Sequence, residues 1–299
     1  MRIKEALVLG KKTLSGRQCA LLETQILLMH LLKLSREKLF MEPEKELNKR
    51  DEARFKKFLR MLTAGYPISY ITGEKEFYGE KFFVDKNVLI PRPETELLVD
   101  ETIKIIKKNF FGKRVSIADV GSGSGCVGIS IAKNCTNVFV IGVDIPVSAL
   151  KIARKNARKL GVSRRVKFIQ SSLLNKLFDQ KIDIIVANLP YIGTKKYNFV
   201  ERNVRKYEPH EALYAGKNGL RLYEKFFKQV AALNHPPKFI LGEFGYGQGK
   251  ELRLMLNKYF VQGAGLAQAR SARSTKPGAK YEIKKDYAGI ERIFIINLS

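Results

Sequence analysis

The sequence predicts an α/β protein, a doubly wound, mostly parallel sheet with a C-terminal antiparallel hairpin, preceded by a small N-terminal helical bundle. Three observations predict it. From residue 115 to residue 244, short β-branched runs alternate with helix-length segments, the pattern of strands joined by crossover helices. The first of these runs opens into a glycine-rich turn over 121–125, as such sheets do at the edge where ligands bind. The first 65 residues carry helical periodicity and no strand signal.

In the N-terminal part, Leu21, Leu22, Gln25, Ile26, Leu28, Met29 and Leu32 recur at three- and four-residue intervals and predict one apolar helix face. Over 51–62, Phe55, Phe58, Leu59 and Leu62 oppose Arg54, Lys56, Lys57 and Arg60, so a second amphipathic helix is expected to pack on the first. Residues 1–65 are therefore read as a helical domain. Residues 66–90 change to Gly, Pro and aromatics, with a hairpin over 77–83 turning at Gly79, and are read as a connector.

Residues 91–299 form the third region. Strands are expected at 115–120, 138–144, 166–170, 182–187 and 238–244, and two more at 281–287 and 291–298, spaced for a hairpin on the sheet edge. Between them, 261–280 carries Gly, Ala, Ser and Gln with Arg270, Arg273, Lys276, Pro277 and Lys280 and no periodicity. It reads as a mobile loop, a solvated insertion in preference to an RNA-binding arm.

Composition bounds the function. Of 299 residues, 45% are hydrophobic and 28% charged, which suits a folded globular chain and excludes a disordered one. Lys and Arg number 55 against 29 Asp and Glu, a net charge of +26. That balance attracts polyanions such as nucleic acid or ribosomes, and is equally the surface of a lysine-rich proteome. Cys19, Cys126 and Cys135 lack CxxC spacing, and His30, His210 and His235 form no HExxH. Neither a disulfide framework nor a metal site is expected. No apolar run reaches membrane-spanning length and the start lacks a signal-peptide core, so the expectation is a cytoplasmic protein without membrane contact.

Chemistry concentrates at two places. Asp119-Val120-Gly121-Ser122-Gly123-Ser124-Gly125 follows the first strand, and its glycines let a backbone approach a ligand that a β-carbon would obstruct. Asp144 ends the second strand 19 residues after Gly125, where a carboxylate reaches the ribose hydroxyls of a nucleoside cofactor. The loop alone can also be parsed as the GxGxxG of a nicotinamide enzyme over 123–128. The fourth strand decides between them, because it runs into Asn188-Leu189-Pro190-Tyr191, which a dehydrogenase does not need. An Asn-x-Pro-Tyr there resembles the substrate clamp of S-adenosylmethionine-dependent methyltransferases acting on planar NH₂ groups. The lone pair of such a nitrogen is delocalised, so position must compensate. The Asn188 side-chain oxygen and a backbone carbonyl of the Asn-Leu-Pro segment can accept both N–H bonds and aim the nitrogen at a methyl donor, with Tyr191 packing on the flat group.

Further motifs sharpen the resemblance. Gly79-Glu80-Lys81-Phe82-Phe83-Val84, then Leu89-Ile90-Pro91-Arg92-Pro93-Glu94-Thr95-Glu96, the glycine loop and Asn-x-Pro-Tyr resemble the release-factor glutamine methyltransferases, the PrmC/HemK family. The likeness continues through Glu208-Pro209, Gly219-Leu220, Tyr223, Glu243-Phe244-Gly245, Gln248 and Asp286-Tyr287-Ala288-Gly289 with Arg292. It implies a class I methyltransferase, Rossmann-like in fold, that uses S-adenosyl-L-methionine to methylate the side-chain amide nitrogen of the glutamine in the Gly-Gly-Gln motif of peptide chain release factors. It implies cofactor contacts from Gly121, Ser122, Gly123, Ser124, Gly125, Asp144, Ser172, Leu173 and Asn188. Substrate contacts would come from Asn188, Leu189, Pro190 and Tyr191, with Arg92 and Glu94 at the entrance. Asn188, Pro190 and Tyr191 would be the catalytic group, and the N-terminal helices would grip the release factor.

The sequence departs from the family pattern at Leu189, where proline is usual, at Ser171-Ser172, where an acid is usual, and at Leu173, where an aromatic is frequent. Leu189 and the high charge keep an adenine-N6 methyltransferase on RNA or DNA as the alternative; the Ile90 to Glu96 block counts against it. A ribosome- or RNA-binding protein that has lost catalysis is a third reading, and the intact loop, Asp144 and Asn188 count against that one.

Overall fold

The computed structural model describes residues 1–194, 200–261 and 279–299. Most of the 261–280 segment read as a mobile loop, residues 262–278, lies outside the described residues. The chain divides into two compact units, Met1–Glu74 with Glu201–Tyr207, and Lys75–Val200 with Glu208–Ser299.

The first unit is helical: α1 (Ile3–Thr13), α2 (Ala20–Leu32), α3 (Arg36–Met41), α4 (Lys49–Thr63) and α5 (Ile68–Thr72), with α9 (Arg202–Tyr207) added from later in the chain. Two starts are capped by side chains. Ser35 accepts the Lys38 N–H at 3.3 Å and Asn48 the Asp51 N–H at 2.8 Å, satisfying donors that the first turn leaves unpaired. Helices α1 and α2 cross at Gly10, where a β-carbon would lie 2.3 Å from Thr24. Phe55, Leu59 and Leu62 of α4 pack with Leu27, Leu28 and Leu31 of α2. The periodicity of the sequence places Leu21 and Leu22 on the buried face, yet both are exposed. Helix α2 is apolar nearly all round, so its periodicity cannot choose a face and packing does.

The second unit opens with the hairpin β1 (Glu74–Phe77) and β2 (Glu80–Phe83). Tyr78 and Gly79 both have positive φ, 52° and 73°, as a two-residue type I′ turn requires. Helix α6 (Glu96–Asn109) secures it, Glu96 accepting the Tyr78 N–H at 2.8 Å and Asp100 the Tyr78 hydroxyl at 2.7 Å.

The sheet comprises β3 (Val115–Val120), β4 (Val138–Asp144), β5 (Val166–Gln170), β6 (Ile184–Ala187), β7 (Phe239–Glu243), β8 (Lys280–Lys285) and β9 (Glu291–Asn297), in the order β5-β4-β3-β6-β7-β9-β8. The first five strands are parallel to one another, and β9 pairs antiparallel with both β7 and β8. This is a class I methyltransferase fold. The helices between strands are α7 (Cys126–Asn134), α8 (Val147–Lys159), α10 (Arg221–Ala231) and α11 (Gly249–Leu256). Alternate strand residues feed two apolar layers. Ile117, Val140, Val186 and Leu241 pack with α6, α7 and α8, while Val120, Val143, Ala187 and Ile240 pack with Tyr223, Phe226 and Phe227 of α10. Strand β8 stops two residues short of the expected end, because Asp286 turns the chain by accepting the N–H groups of Ala288 and Ile290, each at 2.9 Å.

Candidate active site

Strand β3 ends between its neighbours, Val120 pairing with Val143 of β4 on one side and with Ala187 of β6 on the other. The chain crosses from β3 to β4 in one direction and from β6 to β7 in the opposite one, so a crevice opens at this strand-order reversal. Its wall includes Gly121, Ser122, Gly123, Ser124, Asp144, Ser172, Leu173, Asn188, Leu189, Pro190 and Arg92. Of the residues that the sequence singles out, Gly125, Tyr191 and Glu94 lie outside that lining. Gly125 precedes α7 at φ 79°, where a β-carbon would lie 2.9 Å from Ile129 and from Phe168; its small size serves packing.

The loop after β3 is tied to the end of β4. One oxygen of Asp144 accepts the Gly123 N–H and the other the Ile145 N–H, both at 2.7 Å. Burial pushes the Asp144 carboxyl up, and these two N–H groups oppose it. Gly123 has φ 51°, and among the described residues no atom beyond its chain neighbours lies within 4 Å of where its β-carbon would be. The Ser122 hydroxyl is buried and takes no hydrogen bond among the described residues. Asp119 also lines the cleft and accepts the Gly128 N–H at 3.0 Å; burial pushes its carboxyl up to about 7. On the opposite side Leu173 takes a left-handed φ of 51°, a conformation that costs a non-glycine residue roughly 1–2 kcal/mol. Ser172 accepts a long bond, 3.5 Å, from Lys225.

Asn188 follows β6 directly. Its Nδ2 donates to Thr95 Oγ1 and to Glu243 Oε2, both at 3.1 Å, and the Thr95 hydroxyl donates to the same Glu243 oxygen at 2.6 Å. The other Glu243 oxygen accepts the Tyr191 hydroxyl at 3.0 Å. The Tyr191 hydroxyl is thus turned toward Glu243, and the residue stands next to Pro190 of the cleft wall without being part of that lining. Its main-chain oxygen accepts from Gln248 Nε2 at 2.7 Å. Glu243 is buried at the end of β7; burial pushes its carboxyl up, while the Thr95 and Tyr191 hydroxyls and the Arg292 charge oppose that. Tyr223 bonds the main-chain carbonyl of Glu243 and, at 3.2 Å, that of Ala187, tying β7 to β6.

Arg92, expected at the entrance, lines the cleft and pairs with buried Glu208 at 2.6 Å, whose second oxygen accepts the Ile90 N–H at 3.1 Å. Glu94 is exposed. The Leu189 side chain is 2% exposed within the apolar layer. It also lines the cleft beside the glycine loop, its Cδ2 3.1 Å from where a β-carbon of Gly121 would lie.

Residues 5–73 match the PrmC N-terminal domain and residues 112–241 a methyltransferase domain. The release factor glutamine methyltransferase of Bacillus anthracis is 34% identical over 262 residues, 87% of this chain and 92% of that protein. That of Koribacter versatilis is 38% identical over 226 residues, covering 75% and 79%. The chain belongs to the release factor glutamine methyltransferase family. As a fold, this family member is similar to the catalytic domain of hMettl16 in complex with an MAT2A 3′UTR hairpin, with TM-score 0.55, 12% identity and coverage of 84% of this chain and 83% of that one. It is also similar to the human methyltransferase 10 domain containing protein, with TM-score 0.51, 14% identity and coverage of 74% and 91%. No described helix is long and apolar enough to cross a membrane.

Thr95, Asp119 and Glu243 reach the site of this release factor glutamine methyltransferase family member without having been singled out as site residues. Glu243 had a signal, a carboxylate inside an otherwise apolar strand. Thr95 stands in the Pro-Glu-Thr-Glu block and had none of its own.

Proposed function

We propose that this chain transfers a methyl group from S-adenosylmethionine to the side-chain amide nitrogen of the glutamine in the Gly-Gly-Gln motif of peptide chain release factors. The observation that carries the reading is the presentation of Asn188. Its Nδ2 is engaged inward, and its Oδ1 takes no hydrogen bond among the described residues, in the same cleft as the glycine loop and Asp144.

The loop fits a nucleoside cofactor. Asp144 keeps a second lone pair on each oxygen for a vicinal diol, Gly123 leaves open space at a left-handed φ, and Ser122 holds a buried hydroxyl with no partner among the described residues. Ser172 and Leu173 stand on the wall for the base. When bound, the cofactor supplies an electrophilic methyl on a sulfonium sulfur, which retains the electron pair of the broken carbon–sulfur bond. Asn188 Oδ1 and a main-chain carbonyl of the Asn188–Pro190 segment accept the two N–H bonds of the glutamine amide. They fix the orientation of the amide so that its nitrogen faces the methyl group, which compensates for its delocalised lone pair. Pro190 restrains that backbone. Methylation leaves the nitrogen cationic and its proton acidic, so the same carbonyl acceptors or water take the proton and no strong base is required. Arg92 borders the entrance, held by Glu208. The N-terminal helical region grips the release factor, and the reaction belongs to the cytoplasm, where release factors act.

The test is methyl transfer from labelled S-adenosylmethionine to a purified release factor and to its Gly-Gly-Gln→Gly-Gly-Ala variant, with ribosomal RNA assayed in parallel. Label on the wild-type factor alone is the expected result. Label on RNA alone would overturn the reading in favour of an adenine substrate.

A further inference from the structure

We propose that Glu243 is the positioning residue of this site and sets the amide orientation of Asn188. The inference rests on the reading of Asn188 given above.

An asparagine amide can be turned over with almost no change in shape, exchanging its oxygen and nitrogen. Only one orientation offers an acceptor to a substrate NH₂ group; the other offers a donor, and two donors repel. Something other than sterics must choose. Glu243 does so because an ionised carboxylate only accepts hydrogen bonds. Its Oε2 receives one Asn188 N–H at 3.1 Å and the Thr95 hydroxyl at 2.6 Å. Since the Thr95 proton is committed to Glu243, the Thr95 oxygen is left to accept from the same Asn188 NH₂ group, also at 3.1 Å. Turning the amide over would set Asn188 Oδ1 against the Glu243 carboxylate, which cannot donate, and forfeit that bond. The Tyr191 hydroxyl on Oε1 is a further donor. Asn188, Thr95 and Tyr191 thus offer three donors to this carboxylate, and with the Arg292 charge the two hydroxyls favour its ionised form against the burial that opposes it.

The carboxylate therefore acts on the substrate only through Asn188, and its loss should be read in turnover. Glu243→Gln keeps one oxygen for Asn188 and Thr95 and offers its NH₂ to the Tyr191 oxygen. We expect kcat to fall no more than about tenfold. Glu243→Leu removes the acceptor, and kcat should fall about 100-fold, with KM for the release factor and Kd for S-adenosylmethionine within about threefold of wild type. The diagnostic variant is the exchange. Asn188→Asp alone places two carboxylates together and should lose about 1000-fold or more. In the double variant, Asn188→Asp with Glu243→Gln, the new amide donates to one oxygen of the new carboxylate and leaves the other oxygen facing the cleft. It should regain at least about tenfold over Asn188→Asp.

The side-chain amide protons of Asn188, followed by NMR in the full chain, give a readout that needs no substrate. They should be protected from exchange in wild type and Glu243→Gln and exposed in Glu243→Leu. Should Glu243→Leu fail to fold, Glu243→Gln and the exchange pair decide. Full turnover in Glu243→Leu, no recovery in the exchange pair, or unprotected amide protons in wild type would overturn the proposal. Failure of the wild-type chain to methylate a release factor would instead strike the functional reading, while the amide protons still judge Glu243.

Discussion

The main-chain N–H of Gly123 donates to the Asp144 carboxylate at 2.7 Å, so the tip of the glycine loop and the end of β4 are held as one piece. Asp144 would serve the cofactor in two ways, by its own oxygens and by fixing the loop. Asp144→Ala should therefore raise the Kd for S-adenosylmethionine by about 100-fold, the scale of two charge-assisted hydrogen bonds. Asn188→Ala should leave that Kd within about threefold and abolish turnover. Isothermal titration calorimetry with a methylation assay separates the two. Equal loss of both properties in both variants would dissolve the division of labour.

Gly123 and Gly219 make a contrasting pair. Among the described residues a β-carbon at Gly123 meets no atom beyond its chain neighbours within 4 Å, whereas at Gly219, φ 76°, it would lie 2.0 Å from the Tyr191 main-chain oxygen and 2.5 Å from Gln248 Nε2. Gly123→Ala should cost only about 1 kcal/mol of stability, the left-handed strain, while sharply weakening cofactor binding. Gly219→Ala should cost about 3 kcal/mol or more, because backbone must move. Thermal melts and calorimetry on both variants check this. A cofactor affinity untouched by Gly123→Ala would mean that the open space beside the loop is not the cofactor's.

Asp119 gives a pH dependence with a definite sign. Its carboxyl is raised from 3.8 to about 7 by burial, so between those values the folded chain holds a proton that the unfolded chain has released. Stability from this group is complete below about pH 4 and is lost as pH rises through 7, on the order of 4 kcal/mol in all. Asp119→Asn cannot ionise and should flatten that part of the profile. Urea unfolding at pH 5 and pH 8 should show the variant gaining on wild type at the higher pH. A wild-type minus variant difference that is the same at both pH values would show that Asp119 is not raised.

Arg92 supports a buried charge. The Glu208 side chain is 1% exposed and its ion-pair partner Arg92 31% exposed. Arg92→Met should destabilise the chain by about 3 kcal/mol, because the carboxylate stays buried without its partner. Glu208→Gln, which keeps an oxygen for the Ile90 N–H, should be milder. Melting temperatures of both variants decide, and an Arg92→Met chain as stable as wild type would leave Arg92 to a role at the cleft alone.

The order of strands and helices, the glycine loop, the acid at the end of β4 and the Asn-x-Pro-Tyr after β6 were all legible in the chain alone. These are local features: strand period, turn residues and strand ends are properties of neighbours in the chain, and parallel connectivity brings the ends of such strands to one edge. What those residues bond to was set by folding. Asn188 meets Thr95 and Glu243 from 93 and 55 positions away, and Thr95 meets Glu243 across 148. Arg92 pairs with Glu208, 116 positions on, with nothing local to choose it over nearby Glu94. The same holds for α2, whose nearly uniform apolar surface left the choice of buried face to the helices it packs against. Burial and partner choice depend on which elements close over a site, and no local period encodes that.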